Sequence, residues 1–360
     1  RFRTARNAVL PLLVLLLVGC SSTPTMPRTP NLYLDGDMTT MPLTPDVLRT
    51  PEMRLMFATD REPNLTAKSP AKRYYDERRS DSLVVGEVTV RLGRDKSFEE
   101  LKARSLDDRS TKIPMEIVGV EEHIQFPSSV TLPVWSDDGQ LVMSPEVEAG
   151  IESAEQSVCE EISRRLAHTD RKEVFIYIHG VGNSFSDPMF RMGQLWHYLG
   201  RPGVPVVYTW PAMKGGGLLR GYTYARESSE FTVYHLRQFL LAVSKCPDVE
   251  RIHILAHSRG TGVTLSVLRD LRLIYLDDAA AGRRDLKLGN VILAAPDIDI
   301  QIAQQRFRPD QVQNILGRMT LYVTPEDSAL GIAEFLFRST SRLGSATAEK
   351  LTPEQIENVK

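Results

Sequence analysis

The run Ala256-His257-Ser258-Arg259-Gly260 carries the clearest chemical signal in this chain. An apolar, β-favouring run that starts at Arg251 ends at these residues, and a helix-compatible run follows at once. A serine with small residues two positions before and after it is typical of a strained strand-to-helix turn that presents a hydroxyl nucleophile. Alanine at 256 stands where glycine is usual, and it is the smallest substitute. We therefore predict that Ser258 is the nucleophile of an acyl-transfer reaction.

A second chemical signal lies upstream, where the apolar run 174–178 ends in His179-Gly180-Val181-Gly182. The run is typical of a buried parallel strand. The tetrahedral intermediates of acyl transfer carry a negative oxygen, which two fixed backbone N–H groups stabilise. We predict the N–H groups of Val181 and Arg259 as these donors. Both glycines of the loop allow the backbone to approach a ligand closely.

Two histidines adjoin these motifs. We interpret His179 as a buried residue that hydrogen-bonds to its loop and orients it, with no part in proton transfer. The reason is that a general base must reach Ser258, whereas this loop lies on the oxyanion side. By the same reasoning we interpret His257 as a packing residue.

Further segments predict how these motifs are positioned. Apolar runs at 204–210, 290–295 and 319–323 predict strands, and the patterns at 228–244 and 262–273 predict helices. Strands that alternate with helices predict an α/β fold with a doubly wound, mostly parallel sheet. Ligands of such sheets bind at the carboxyl ends of the strands, where all of these motifs fall.

Two later strands are each followed by a candidate for the acidic residue of a catalytic triad. Asp327 comes two strands after the strand of Ser258, which is the commoner location, and Asp297 comes one strand after it. Either aspartate could instead be a helix N-cap. We favour Asp327 as the acid and expect Asp297 or Asp299 to shape the floor of the pocket.

Several blocks of the sequence, taken in order, carry a family resemblance: LMFATDR at 55–61, FIYIHG at 175–180, TWP at 209–211, LAHSRG at 255–260, APD at 295–297 and LYVTPEDSAL at 321–330. Over residues 53–345 the chain resembles a bacterial α/β-hydrolase family long catalogued as a domain of unknown function, DUF900. The resemblance implies an α/β-hydrolase fold related to that of lipases and esterases. It also implies a triad of a serine in A-H-S-x-G, an aspartate after the Y-V-S/T strand and a histidine near the C-terminus. The first two match Ser258 and Asp327.

The histidine of this triad has no counterpart in the chain. None of the seven histidines follows Ser258, although a serine hydroxyl is a weak nucleophile that needs an adjacent base. The chain begins with Arg1 instead of methionine and ends at Lys360 within a polar, helix-like run. We therefore expect the last strand and the histidine loop to lie beyond Lys360. The alternative is a catalytically silent protein of the same fold that acts as a binding or scaffold module.

The first twenty residues resemble a bacterial lipoprotein signal. Three arginines precede the apolar run 8–19, which is too short to span a bilayer, and Leu17-Val18-Gly19-Cys20 follows the lipobox pattern. We predict cleavage before Cys20 and lipidation of this cysteine, which would anchor the protein at the outer membrane facing the periplasm. The alternative is an ordinary secretory signal with an incidental cysteine.

These patterns divide the chain into five segments: a signal peptide over 1–19, a flexible stalk over 20–52, an N-terminal extension over 53–150, an α/β-hydrolase core over 151–345 and a polar C-terminal segment over 346–360. The extension holds strand-like runs at 83–90 and 115–120. We expect this small, β-containing extension to pack on the hydrolase sheet instead of forming an independent domain.

Composition narrows the partners of the protein. The 44 basic and 46 acidic residues nearly balance, so no nucleic-acid partner is predicted. Cys159 and Cys246 remain after lipidation of Cys20, and their even number permits a disulfide in an oxidising compartment. Neither lies in a metal-ligand pattern, so we predict no metal and no cofactor. The predicted partners are a small acyl or lipid substrate and, through the lipid anchor, the membrane.

Overall fold

The computed structural model describes residues 23–28, 30, 44–64, 74–106, 112–213, 218–323 and 343. The strands of this part of the chain are β1 (Glu52–Pro63), β2 (Tyr75–Leu92), β3 (Met115–Gln125), β4 (Val134–Trp135), β5 (Leu141–Val142), β6 (Glu173–Ile178), β7 (Val204–Thr209), β8 (Arg251–His257), β9 (Leu288–Ala294) and β10 (Arg318–Tyr322). Its α-helices are α1 (Phe98–Leu106), α2 (Pro145–Leu166), α3 (Ser186–Tyr198), α4 (Leu218–Ser244), α5 (Arg259–Ile274), α6 (Ala279–Leu286) and α7 (Ile300–Phe307).

Eight of the strands form one sheet in the order β10-β9-β8-β6-β7-β1-β2-β3. The six strands from β10 to β1 run parallel to one another, whereas β2 and β3 are antiparallel. The parallel strands therefore end along one side of the sheet, which we call the upper edge and define by Ile178, Thr209, His257 and Ala294. This arrangement confirms the predicted α/β fold with a mostly parallel sheet.

Helices cover both faces of the sheet because side chains alternate along each strand. Ile176 of β6 belongs to one core cluster, which includes side chains from α2, α4 and α5. Its neighbour Tyr177 belongs to a second cluster on the opposite face, with side chains from α1 and α3. Every residue of β7 is buried, as expected for a central parallel strand covered on both sides.

The N-terminal extension joins the sheet as strands. β1 pairs in parallel with β7, with Thr59 opposite Thr209, and β2 and β3 continue the sheet outward. Strands were predicted within β2 and β3 but not at β1, because the later half of β1 contains Asp60 and Arg61, two charged residues that are fully buried.

The structure differs from the predicted flexible stalk at Pro24 to Pro27. The Met26 N–H donates to the Ile113 carbonyl at 2.8 Å, and the Met115 N–H donates to the Pro24 carbonyl at 2.7 Å. The Met26 side chain is 3% exposed. This short segment is therefore held against the start of β3.

Several predictions concern residues outside the described part of the chain, namely the signal peptide, Cys20, Asp327 and the segment 346–360. Among the described helices, none is both long and apolar enough to cross a membrane.

Candidate active site

Ser258 occupies a strained turn between β8 and α5. Its φ is 52° and its ψ is −125°, a conformation that costs about 1–3 kcal/mol for a residue with a side chain. The Ser258 N–H donates to the Ala294 carbonyl at 3.0 Å. Its carbonyl accepts from the N–H groups of Thr261 at 3.0 Å and Asp297 at 3.3 Å. Three backbone hydrogen bonds thus hold the half-buried serine at the upper edge.

The residue two positions after the serine fits tightly against the end of β6. A Cβ atom on Gly260 would lie 2.5 Å from the His179 carbonyl oxygen and 2.7 Å from that of Ile178. Ala256, two positions before the serine, is fully buried. The requirement for small residues in this turn therefore has a direct cause, which is the approach of α5 to the β6 backbone.

The loop after β6 lies beside Ser258. A Cβ atom on Gly180 would lie 2.7 Å from Ser258 Cβ and 3.1 Å from its Oγ. Gly182 has a φ of 70°, in the left-handed region that glycine adopts readily. Within the described part of the chain, no hydrogen bond from the Val181 N–H is found. The fold thus places Gly180, the residue before Val181, against Ser258.

His179 is fully buried beneath this loop and uses both ring nitrogens. Nδ1 lies 2.7 Å from the Gly180 carbonyl oxygen, Nε2 lies 3.2 Å from Thr209 Oγ1, and the ring stacks on Trp210. Burial, together with the positive charge of Arg61, lowers the pKa of His179 to about 3. His179 is therefore neutral at pH 7, and its contacts suit a residue that orients the loop.

His257 does not match its interpretation as a packing residue. It is the last residue of β8 and is exposed. Its exposed side chain is not packed in the core of the residues that the structure describes.

The aspartates that follow β9 have different environments. Asp297 is 2% exposed, and its Oδ2 lies 3.2 Å from Nη2 of Arg259. Asp299 is the N-cap of α7, where its Oδ1 accepts from the N–H groups of Gln301 at 2.8 Å and Ile302 at 3.3 Å. Asp297 therefore forms an ion pair with the residue next to Ser258, whereas Asp299 stabilises a helix terminus. Asp327, the favoured acid, lies outside the described residues.

A buried histidine–carboxylate pair lies elsewhere in the sheet, and the sequence analysis missed it. Nδ1 of His235 on α4 is 3.2 Å from Oδ2 of Asp60 on β1, and both side chains are buried. β6 and β7 separate β1 from β8. At about 4.8 Å per strand, the pair is displaced from Ser258 by about 14 Å across the sheet. The arrangement does not make His235 the base for Ser258.

Arg61 was also missed, although its block contributed to the family resemblance. It is fully buried, and its Nη2 donates to the Asn183 carbonyl at 2.9 Å while its Nε donates to Thr209 Oγ1 at 3.0 Å. Burial lowers the pKa of Arg61 to about 10, and the Asp60 carboxylate opposes this shift. The guanidinium thus stays charged at pH 7 and binds the loops that follow both β6 and β7.

A cleft of about 530 Å³ opens beside Arg259, the residue after Ser258. Helices α4, α5 and α7 form its walls, and most of its lining is polar: Arg226, Ser229, Glu230, Arg259, Ser266, Asp299, Gln301, Gln305 and Arg306. It is large enough for part of a small organic substrate. In the described part of the chain, no cluster of His, Cys, Asp and Glu side chains suits a metal ion.

Comparison with known proteins gave one family match. The family model described as "Alpha/beta hydrolase of unknown function (DUF900)" matches residues 154–359, more than half of the chain. The matched range includes Ser258, the loop after β6 and Asp297, whereas β1 with Arg61 precedes it. No curated protein and no solved structure matched the chain.

Proposed function

The chain belongs to the DUF900 family of α/β-hydrolases, and on this premise we propose that it is a serine hydrolase that cleaves an acyl ester or thioester. The observation that carries the proposal is the geometry of the turn at Ser258, whose φ is 52° and whose side chain adjoins Gly180. A fold maintains such backbone strain where the surrounding structure enforces it, and strained residues cluster at active sites.

In the proposed reaction, Ser258 Oγ attacks the substrate carbonyl and passes its proton to a general base. The negative oxygen of the tetrahedral intermediate accepts hydrogen bonds from the N–H groups of Val181 and Arg259. The N-terminus of α5 adds a favourable dipole at the same place. Collapse of the intermediate expels the protonated alcohol or thiol and leaves an acyl-serine. Water then attacks this ester, releases the carboxylic acid and regenerates the serine.

The general base in such triads is a histidine that a carboxylate orients. We propose Asp327 as this carboxylate, and Asp297 is the alternative. Asp297 is buried beside the turn at Ser258 and paired with Arg259, which also suits a role in holding this turn. The pocket next to Arg259 supports a small acyl substrate with a polar portion.

Labelling by a fluorophosphonate probe tests the proposal, because such probes react with activated serines. The probe should label the folded full-length protein, and the modified peptide should contain Ser258. Ser258→Ala should abolish labelling, whereas Ser153→Ala, at an exposed position of α2, should leave it unchanged. Absence of labelling in well-folded protein would refute the hydrolase mechanism.

A catalytically silent binding or scaffold protein is the second candidate. The observation that favours it is that His179, beneath the loop beside Ser258, has both ring nitrogens engaged by Gly180 and Thr209 and so offers the serine no base. The same labelling experiment separates the two candidates, since a silent protein binds its partner without an activated serine.

We also propose that the protein is a lipoprotein of the cell envelope, anchored through Cys20 at the outer membrane. The lipobox pattern at residues 17–20 and the short apolar run before it support this location. Metabolic labelling with palmitate in a bacterial host should modify the wild-type protein and spare Cys20→Ala. Equal incorporation in both would refute the anchor.

A further inference from the structure

The contacts below the loop after β6 form a chain of hydrogen bonds with a defined direction. An arginine side chain has donors alone, so Arg61 Nε donates to Thr209 Oγ1 at 3.0 Å. The Thr209 hydroxyl proton is then directed to His179 Nε2 at 3.2 Å. The proton on His179 Nδ1 is donated to the Gly180 carbonyl at 2.7 Å. The neutral imidazole that this pattern requires agrees with the pKa of His179, which burial and Arg61 lower to about 3.

The last member of this chain sets the direction of one peptide group. The Gly180 carbonyl and the Val181 N–H belong to the same peptide, and in a planar trans peptide they point in opposite directions. The carbonyl oxygen is held from one side by His179 Nδ1 and by Asn183 Nδ2, at 2.7 Å and 3.1 Å. The Val181 N–H is therefore directed away from both groups.

Arg61 fixes both groups that bind the Gly180 carbonyl. It bonds to Thr209, which bonds to His179, and its Nη2 also donates to the Asn183 carbonyl at 2.9 Å. Burial of a guanidinium costs several kcal/mol unless hydrogen bonds and an opposite charge compensate it. The adjacent Asp60 carboxylate supplies that charge.

We propose that Arg61 is a positioning residue of the oxyanion hole, supplied by a strand outside the range that the family model matches. It acts through Thr209, His179 and Asn183 on the Gly180–Val181 peptide and does not touch the substrate. This inference rests on the proposed serine hydrolase function.

Labelling kinetics with Arg61→Met test the inference, and Arg201→Met is the matched control. Arg201 is also a buried arginine that donates to backbone carbonyls, those of Leu48 at 2.6 Å and Thr50 at 2.8 Å, but it follows α3 near the start of β1. Both variants should lose thermal stability. Arg61→Met alone should reduce the maximal rate of fluorophosphonate labelling, by about tenfold to a hundredfold, with the half-saturating probe concentration unchanged.

A second pair of variants keeps the test decisive if Arg61→Met fails to fold. Thr209→Val removes the hydroxyl from the chain of hydrogen bonds at nearly constant volume and should lower the same maximal rate. Thr209→Ser keeps a hydroxyl at this position and should retain most of the wild-type maximal labelling rate. Labelling of Thr209→Val at the wild-type rate, or equal losses in Arg61→Met and Arg201→Met, would overturn the role of Arg61.

Amide hydrogen exchange separates this inference from the proposed function. The amides of residues 180–183 should exchange faster in Arg61→Met and Thr209→Val than in wild type or Arg201→Met. Unchanged exchange would overturn the positioning role. The wild-type protein could resist labelling while the variants still show faster exchange at residues 180–183. That result would refute the hydrolase function and leave the role of Arg61 in holding the loop intact.

Discussion

Gly260→Ala tests whether the turn at Ser258 tolerates any side chain two positions after the serine. The added Cβ would lie 2.5 Å from the His179 carbonyl oxygen, and real Cβ atoms essentially never approach within 3.0 Å. The gap must therefore widen by about 0.5 Å, the difference between these two distances. The obstructing atoms belong to the β6 backbone, so no side-chain rotation can relieve the overlap.

Overpacking of this kind costs about 1–3 kcal/mol, and the higher helix propensity of alanine offsets up to about 1 kcal/mol. We expect Gly260→Ala to lower the free energy of unfolding by about 2 kcal/mol. For domains of this size that corresponds to a fall in Tm of about 4–8 °C. Displacement of the loop after β6 from Ser258 should also slow fluorophosphonate labelling by about tenfold or more.

Gly262→Ala is the matched control on the same helical turn. Its Cβ would meet Arg259 Cδ and the Asp297 carbonyl oxygen at 3.9 Å, an ordinary contact. This variant should show no loss of thermal stability and gain up to about 1 kcal/mol from helix propensity. Thermal unfolding followed by circular dichroism, together with labelling rates, measures both effects. If the two variants behave alike, the close approach of α5 to β6 does not constrain the turn, and our explanation of it is wrong.

Three further predictions concern protonation, thiol reactivity and charge pairing. The pKa of His179 is about 3 when folded and 6.5 in the reference state, so the unfolded chain binds more protons between these values. The free energy of unfolding, measured with urea, should fall as the pH drops from about 6.5 towards 3, and it should fall less steeply in His179→Asn. Equal slopes in the two proteins would contradict the lowered pKa of His179. Burial and the neighbouring Cys159 raise the pKa of the Cys246 thiol. Iodoacetamide at pH 8 should therefore modify Cys159 before Cys246 in the native protein. Peptide mapping that found the reverse order would contradict this prediction. Arg259→Met should cost about 3 kcal/mol because it removes the partner of the buried Asp297 carboxylate. Asp297→Asn should recover part of this loss in a double-mutant cycle, whereas additive losses would argue against the pair.

The central parallel strands could be predicted from the sequence because helices cover them on both faces. Every position of such a strand is apolar or tolerant of burial. The strand can therefore be recognised in the sequence as a continuous apolar run, without knowledge of its neighbouring strands. β1 was missed for the opposite reason. Its buried Asp60 and Arg61 read as exposed residues in a sequence, and their partners His235, Thr209 and Asn183 come from distant segments.

Helix boundaries were less predictable than helix positions. The sequence pattern placed the start of α5 at residue 262, whereas the helix begins at Arg259. Gly260 and Gly262 weaken the local preference for helix. The contact of Gly260 with β6 and the hydrogen bonds of the Ser258 carbonyl hold the first turn in place.

The sequence by itself determined the strained turn at Ser258, the glycine loop and the parallel strands, because each depends on residues that are neighbours in the chain. Tertiary structure alone decided what supports that turn and loop. Arg61 and Thr209 are 148 positions apart, and no local period relates two such residues. They meet because β1 and β7 pair in the sheet. Their contact with His179 then follows from the common ending of the parallel strands at the upper edge.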